Sequence, residues 1–423
     1  MRKSYDLSTS SKWSALSDGE HTVQIVAKGT GYRDSEPSAA VSVTKGPQEY
    51  TDCITFTGES SDFTLNATNK EWDGTVEYST DHNTWTTLSG TEVMQSVDKK
   101  LYLRGSGNTK FKTRNGARFV LSARAACSGN IQTLLEYSNP PTNIPSNSCY
   151  QSMFYGCKNL TQAPALPATT LADYCYQYMF YNCASLTQAP ELPSTTLGSY
   201  CYYSMFQNCT SLTTAPELPA TTLGTYCYQN MFYNCTRLTQ APELPATILS
   251  DYCYQGMFQS CKNLTQAPAL PATTLANYCY QHMFSGCTSL TQAPELPATT
   301  LASSCYRNMF QSCTNLTQAP ALPATTLANN CYQGMFQSCK NLTQAPALPA
   351  TTLANYCYRQ MFSSCTSLKI SETQSSEYPT AWRIPSSGTI SSTATSWNVD
   401  MLTGTGGTFT SDPSINTTYY GAW

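Results

Sequence analysis

The stretch Cys149-Tyr150-Gln151-Ser152-Met153-Phe154-Tyr155-Gly156-Cys157-Lys158-Asn159-Leu160-Thr161-Gln162-Ala163-Pro164-Ala165-Leu166-Pro167-Ala168-Thr169-Thr170-Leu171 decides the architecture, because the chain repeats it. Its leading cysteine recurs at Cys175, Cys201, Cys227, Cys253, Cys279, Cys305, Cys331 and Cys357, always 26 residues on and without insertion, which makes nine copies. Self-similarity at a fixed period of about 20–50 residues marks a stack of coils, each burying against its neighbours the apolar face it cannot bury alone.

In the second copy the apolar residues of the first segment are Cys175, Tyr176, Met179, Phe180 and Cys183. That spacing predicts a helix of about two turns with one apolar side. The prolines of Leu186-Thr187-Gln188-Ala189-Pro190-Glu191-Leu192-Pro193 forbid helix and give no donor to a ladder, so a short strand over 186–189 is expected. One helical unit, one short strand and two connections per coil predict an α+β repeat solenoid. Leu186, Ala189, Leu192 and Leu197 should join Met179 and Phe180 in continuous columns.

The motif Cys-Tyr-x-x-Met-Phe-x-x-Cys-x-x-Leu-Thr-x-Ala-Pro-x-Leu-Pro-Ala-Thr-Thr-Leu resembles the BspA-like (Treponema-type) leucine-rich repeat in its 26-residue bacterial surface-protein form. It departs from shorter members in carrying Met-Phe where Ala-Phe is usual. The resemblance covers a little over half of the chain. It implies a right-handed, curved leucine-rich-repeat solenoid serving adhesion or recognition.

Outside the repeats the chain alternates. His21–Ala27 and Ala39–Val43 read as strands around a turn at Gly29–Gly31, and residues 18–35 resemble the last strands of Ig-like or fibronectin-type modules of phage and surface proteins. Residues 48–137 carry short strand candidates at Cys53–Phe56, Phe63–Leu65, Thr75–Tyr78, Trp85–Leu88, Lys100–Leu103, Lys110–Lys112 and Arg118–Leu121, with turn signals such as Asp73-Gly74 and Asn115-Gly116, which predicts an all-β, sandwich-like region. Glu77-Tyr78-Ser79 with Thr84-Trp85 resembles the domain found ahead of such repeats in proteins of gut bacteria and their phages. Gly129–Leu135 reads as the lead-in that caps the first coil. After Leu368 the period stops, and the Ser-, Thr- and Gly-rich remainder reads as a cap and β tail. The expected domains are thus 1–47, 48–137, 138–370 and 371–423.

Composition excludes several functions. Net charge is −3 with 12% charged residues, roughly half the usual share, and Lys and Arg are scattered, so no nucleic-acid footprint exists. No apolar run approaches the ~18 residues of a membrane span. Histidines number three and fall in separate segments, no nucleophile, zinc-protease or phosphate-loop motif occurs, and Thr403–Gly407 reads as a glycine-rich turn, so no enzyme is expected. Eighteen of the 20 cysteines sit in two repeat columns. On a helix, residues eight apart lie roughly 12 Å apart and neighbouring helices about 8–10 Å apart, beyond the ~7 Å a disulfide spans, so both columns are expected to be buried free thiols rather than crosslinks or zinc ligands.

Function is expected where copies differ. Tyr155, Tyr178, Tyr181, Tyr203 and Tyr233 crowd the first four copies on the side away from the apolar stripe, with Arg237 and His282 as polar neighbours. Exposed tyrosines give rigid, amphipathic contact area and form the candidate ligand-binding stripe for a protein or glycan. The rival surface is the repeated Thr-Gln of the strand side. Glu191, Glu217 and Glu243 occupy one position in consecutive copies, so stacked carboxylates suited to Ca2+ are weighed against plain solvation; no other cofactor is expected. Met1–Ser8 lacks the apolar core of a signal peptide. The expected role is therefore a non-enzymatic recognition protein on a phage virion, bound to other virion proteins through its N-terminal β region. A bacterial cell-surface adhesin and a ligand-free structural spacer are the alternatives.

Overall fold

The computed structural model describes residues 19–23, 41–45, 53–67, 70–89, 92–113, 119–144, 146–390 and 393–423. The chain divides into two compact units, 1–52 and 53–423. In the first, β1 (Gly19–Val23) pairs antiparallel with β2 (Val41–Lys45). The remainder of the expected strand to Ala27, its turn at Gly29–Gly31, and the turn at Asn115-Gly116 lie outside the described residues.

The second unit opens with ten short strands: β3 (Ile54–Gly58), β4 (Thr64–Asn66), β5 (Lys70–Trp72), β6 (Thr75–Ser79), β7 (Thr86–Thr87), β8 (Val93–Gln95), β9 (Lys100–Ser106), β10 (Phe111–Thr113), β11 (Val120–Leu121) and β12 (Ala125–Ser128). Alternation in β9, where Leu101 and Leu103 are buried and Tyr102 and Arg104 are not, aims one face at a core containing Phe56, Phe63, Leu65 and Met94. β12 has no strand-forming composition. It is a strand because it lies between β3, antiparallel, and β14 (Leu160–Gln162), parallel, and β14 belongs to the first repeat. The large sheet, ordered β14-β12-β3-β9-β6-β7, therefore runs from the β region straight into the coils. β13 (Asn143–Ile144) likewise pairs in parallel with β15 (Thr170–Leu171) of the first coil. Between them the 3-10 helix Ile131–Leu134, entirely buried, is tied on by Ile131 N–H donating to the Ala165 carbonyl (3.1 Å). Phe111 stands over Tyr150 (6.2 Å) and Phe119 over Phe154 (5.7 Å), so the β region closes two aromatic columns of the stack.

The repeats contain no α-helix; none occurs among the described residues, and the α+β expectation is corrected. The segment from Cys to Cys is a run of tight turns. Taking the leading cysteine as position 0, positions −1, 3 and 7 have φ between 50° and 76° in all nine copies, for example Tyr174, Tyr178 and Asn182. A left-handed residue every fourth position is incompatible with a helix. The hydrogen bonds account for the geometry. In the second copy Gln177, Met179, Tyr181 and Cys183 donate N–H to the carbonyl three residues back (3.1–3.2 Å), while Tyr174, Tyr176, Tyr178, Phe180 and Asn182 donate to Ser199, Cys201, Tyr203, Met205 and Gln207 of the next coil (2.7–3.0 Å). Alternate amides thus close turns and stitch coils, so the buried backbone is satisfied without a helix. With φ positive at the second central residue, the turns over 176–179 and 180–183 have the type II signature. The sequence carried the signal: position 7 holds only Gly, Asn or Ser across the nine copies, the residues that tolerate this conformation most readily or are smallest.

The apolar pairs all face inward. Position 5 forms a Phe column at 5.5–5.8 Å between ring centroids, the rings stacked nearly parallel, and position 1 a buried Tyr column at 5.6–6.1 Å. The strand side is narrow, with single parallel bridges such as Gln240 to Gln266 and Thr274 to Thr300, because the prolines leave few donors.

All 20 cysteines are buried free thiols. The helix spacing behind that expectation does not hold; the coils are far closer than packed helices. What places a thiol at position 8 is a hydrogen bond: from Cys183 to Cys365 each Sγ–H donates to the position-5 Phe carbonyl of the preceding coil at 3.0–3.1 Å. Burial pushes thiols such as Cys209 and Cys261 up to about 12. Alkylation of the native protein should therefore label almost no cysteine, and alkylation in non-reducing denaturant all of them; intercoil crosslinks in peptide mass spectra would contradict this.

The 26-residue spacing ends at Leu368, but the hydrogen-bond register of the coils continues beyond it. Tyr358, Gln360, Phe362 and Ser364 donate N–H to Trp397, Val399, Met401 and Thr403, the register every earlier coil uses. Ser396, Asp400 and Gly404 take the left-handed positions. Residues 396–405 are thus a tenth, degenerate turn segment, with Trp397 at the cysteine position and Met401-Leu402 in place of Met-Phe. It is displaced by an insertion bearing β16 (Lys369–Ser371) and β17 (Thr380–Ile384), which pair antiparallel with β18 (Thr417–Ala422) in the order β16-β18-β17. Trp397 closes the Tyr column on Tyr358 and Trp382 the Phe column on Phe362, both edge-on at 6.3 Å.

Candidate recognition surface

The turn run sorts its side chains by position. Positions 0, 1, 4, 5 and 8 are buried, so −1, 2, 3, 6 and 7 form the outer side of the coils. Tyr155 and Tyr181, both at position 6, stack at 4.5 Å and 11° one coil apart. Tyr178 meets Tyr155, Tyr181 and Tyr203 edge-on at 6.1, 5.8 and 5.1 Å. Tyr233 lies two coils further along the position-6 column and influences the Tyr181 hydroxyl. All five are half-buried rather than exposed; the first four shelter one another, while Gln207 stands between Tyr181 and Tyr233 in the position-6 column.

The largest part of the surface was not among the expected residues. Position −1 carries Tyr174, Tyr200, Tyr226, Tyr252 and Tyr278, a half-buried column of five rings at 4.4–4.8 Å and 5–15°. Tyr203 joins it to the first cluster through Tyr200 at 5.6 Å. The signal was in the sequence: tyrosine precedes the leading cysteine in six copies. Under a helical reading that residue is an uninformative flank; in the turn run it is the first left-handed position, and its side chain faces outward. Burial, with the neighbouring Tyr226 and Tyr278, pushes the Tyr252 hydroxyl up to about 12, so that hydroxyl keeps its proton and can both donate and accept. The ring faces are taken up by one another. The column therefore presents a row of edges and hydroxyls at the coil spacing, not platforms for sugar rings to stack on.

Position 2 between the tyrosines is an amide ladder, with Gln151 paired to Gln177, Gln229 to Gln255 and Gln255 to Gln281. Stacked amides of this kind rigidify parallel in-register arrays. His282 sits in the position-3 column, its Nε2 3.5 Å from Asn308 Nδ2 and its Nδ1 buried without a partner among the described residues. Burial and then the Arg307 charge lower its pKa to about 4, so it is a neutral ladder residue and not a proton carrier at neutral pH. The unfolded chain takes up this proton near pH ~6.5, so stability present above that value should fall by ~2–3 kcal/mol as pH drops through the window to about 4, allowing for partial exposure. His282→Asn, the residue Asn230 and Asn308 supply at this position, should remove that part of the acid slope in denaturant titrations. An unchanged slope would contradict the burial account. Arg237 is exposed, outside the tyrosine ring contacts.

On the strand side Gln162, Gln188, Gln240 and Gln266 are exposed; Gln188, Gln240 and Gln266 make intercoil bridges, while Gln162, in β14, pairs with Ala126 of β12. Glu191, Glu217 and Glu243 are exposed too. Among the described residues no group of three or more His, Cys, Asp or Glu could hold a metal ion. A carboxylate once per coil does not by itself supply the roughly six to eight oxygen ligands that Ca2+ takes.

Stacked coils, capped at both ends and carrying a continuous aromatic face, define a tandem-repeat protein with a built outer surface. The BspA type leucine-rich repeat region matches in six copies, over residues 135–265, 173–317 and 252–378. The chain belongs to the BspA-type leucine-rich repeat family, whose repeats are typical of surface and extracellular proteins. No curated protein and no solved structure matches the chain. Among the described residues no helix is long and apolar enough to cross a membrane.

Proposed function

We propose that this is a non-enzymatic recognition protein whose ligand surface is the outer side of the turn runs in coils one to six. The observation that carries the reading is the joined tyrosine array, Tyr155, Tyr178, Tyr181 and Tyr203 with the column from Tyr174 to Tyr278. Aromatic anchors carry a disproportionate share of interface energy, and a rigid row of stacked tyrosines loses little entropy on binding. Because the ring faces are internally stacked, the partner is a protein or glycan on a cell surface that offers polar groups along a line. The protein is displayed on a phage virion, with the β1–β2 segment toward other virion proteins; the family's surface character supports equally a bacterial cell surface.

Whole-cell binding of labelled protein tests this. Tyr200, Tyr226 and Tyr252 changed to Ser should lose binding by at least about tenfold, the effect of one good anchor. Ser304 and Asn330 hold the same left-handed position in later copies, so the fold tolerates the change. Gln162, Gln188, Gln240 and Gln266 changed to Ala should bind as the parent does. Loss in the glutamine variant alone moves the site to the strand side, and parental binding by both makes the coils a spacer.

A further inference from the structure

The C-terminal cap forms a cavity with the coils, apart from the tyrosine array. A partly open cavity of about 490 Å3 lies where the cap sheet meets the strand side of the eighth coil, lined by Gln344 and Ala345 on the coil side and by Thr380, Trp382, Arg383, Thr418 and Trp423 on the cap side. Its volume falls within the range of small-ligand sites, which combine apolar walls with a few converging polar groups.

Three features show how it is built. The Trp423 indole lies against Gly421, where a Cβ would come within 2.3 Å of the ring, so glycine is what lets the indole lie flat along the strand. The same ring lines the cavity and is 37% exposed, so an aromatic surface is held open to solvent rather than sunk in the core. Trp382, which forms the adjoining wall, is fixed by its Nε1–H donating to the Pro346 carbonyl at 3.1 Å. Arg383 is the only charged residue among those lining the cavity, and its Nη2 donates to the Gly388 carbonyl at 2.9 Å, which orients the guanidinium. Gln344 is the last rung of the Gln bridge line that runs through Gln318.

We infer that this cavity binds a single pyranose bearing a carboxylate. The C–H face of a sugar ring matches the indole, its hydroxyls match Gln344, Thr380 and Thr418, and a guanidinium with no carboxylate among the lining residues selects an anionic group. The tyrosine array has its ring faces occupied and cannot play this part, so the inference goes beyond the proposed function. The two separate experimentally, because this one is read on free sugars with all the tyrosines intact.

Ligand-observed saturation-transfer NMR of the whole protein with D-glucuronate, and with D-glucose as the neutral control, is the test. Glucuronate should give a saturable signal and glucose a weaker one. Arg383→Gln should bring the two together, a loss for glucuronate of about tenfold as one charge-assisted pair is removed. Trp423→Ala should abolish both signals. Gln344→Ala, outside the cap, should weaken both, and serves if Trp423→Ala lowers the melting temperature. No saturable glucuronate signal, equal binding of both sugars by the parent, or parental binding by Trp423→Ala and Gln344→Ala would overturn the assignment.

Discussion

Truncating Phe258 to alanine is expected to cost about 3–5 kcal/mol, the range for emptying a fully buried aromatic site. Phe258 is 0% exposed and stacks between Phe232 at 5.7 Å and Phe284 at 5.8 Å, so one change removes two ring contacts in mid-column. Relaxation is restricted, because Phe258 donates N–H to the Met283 carbonyl and its own carbonyl receives Cys261 N–H and the Cys287 thiol. The coils cannot close on the void without breaking that register. Nearest-neighbour coupling in a repeat stack should make the loss local at first, so urea unfolding followed by circular dichroism should broaden as well as shift. Gln259→Ala, the next residue and on the outer side, should stay within about 0.5 kcal/mol. A Phe258→Ala penalty as small as that of Gln259→Ala would refute the column as the main source of stability.

Removing residues 372–423 should have the second large effect, end-to-end association of the chain beyond whatever state the parent shows. Tyr358, Met361, Phe362 and Leu368 of the ninth coil are each no more than 1% exposed. Truncation uncovers two aromatic columns and strips the hydrogen-bond acceptors from Tyr358, Gln360, Phe362 and Ser364. An uncapped end offers apolar surface and a row of unpaired amides in the register of the next coil, which invites end-to-end association. Light scattering after size exclusion should show species larger than the parent's, or precipitate. Trp397→Ala with Trp382→Ala in the full chain should give a milder version, a lower melting temperature with the amide acceptors retained. A soluble truncated chain with the parent's oligomeric state and melting temperature would show that the tenth segment is not a cap.

The sequence by itself settled the period, the number of full copies, the inward columns and the family, since these follow from which residue recurs every 26 positions. It also located most strands of the β region, where turn residues bracket alternating stretches, but not β12: Ala125–Ser128 is a strand only because β3 and the first coil flank it. Helix against turn run was decided by tertiary structure. Apolar residues at 0, 1, 4, 5 and 8 fit a helical face, and equally a run of turns with a period of four. The choice depends on where the amide hydrogens go, and half of them here go to the next coil, a partner no local reading contains. The same fact moved the proposed recognition surface. Tyr155, Tyr178, Tyr181 and Tyr203 were legible as variable positions, but the column from Tyr174 to Tyr278 gains its meaning from the left-handed turn that faces it outward and the coil spacing that stacks it. The tenth segment was hidden for a related reason: Trp397 and Met401-Leu402 keep the register while an insertion breaks the spacing, and only the hydrogen bonds from Tyr358 to Ser364 reveal the match.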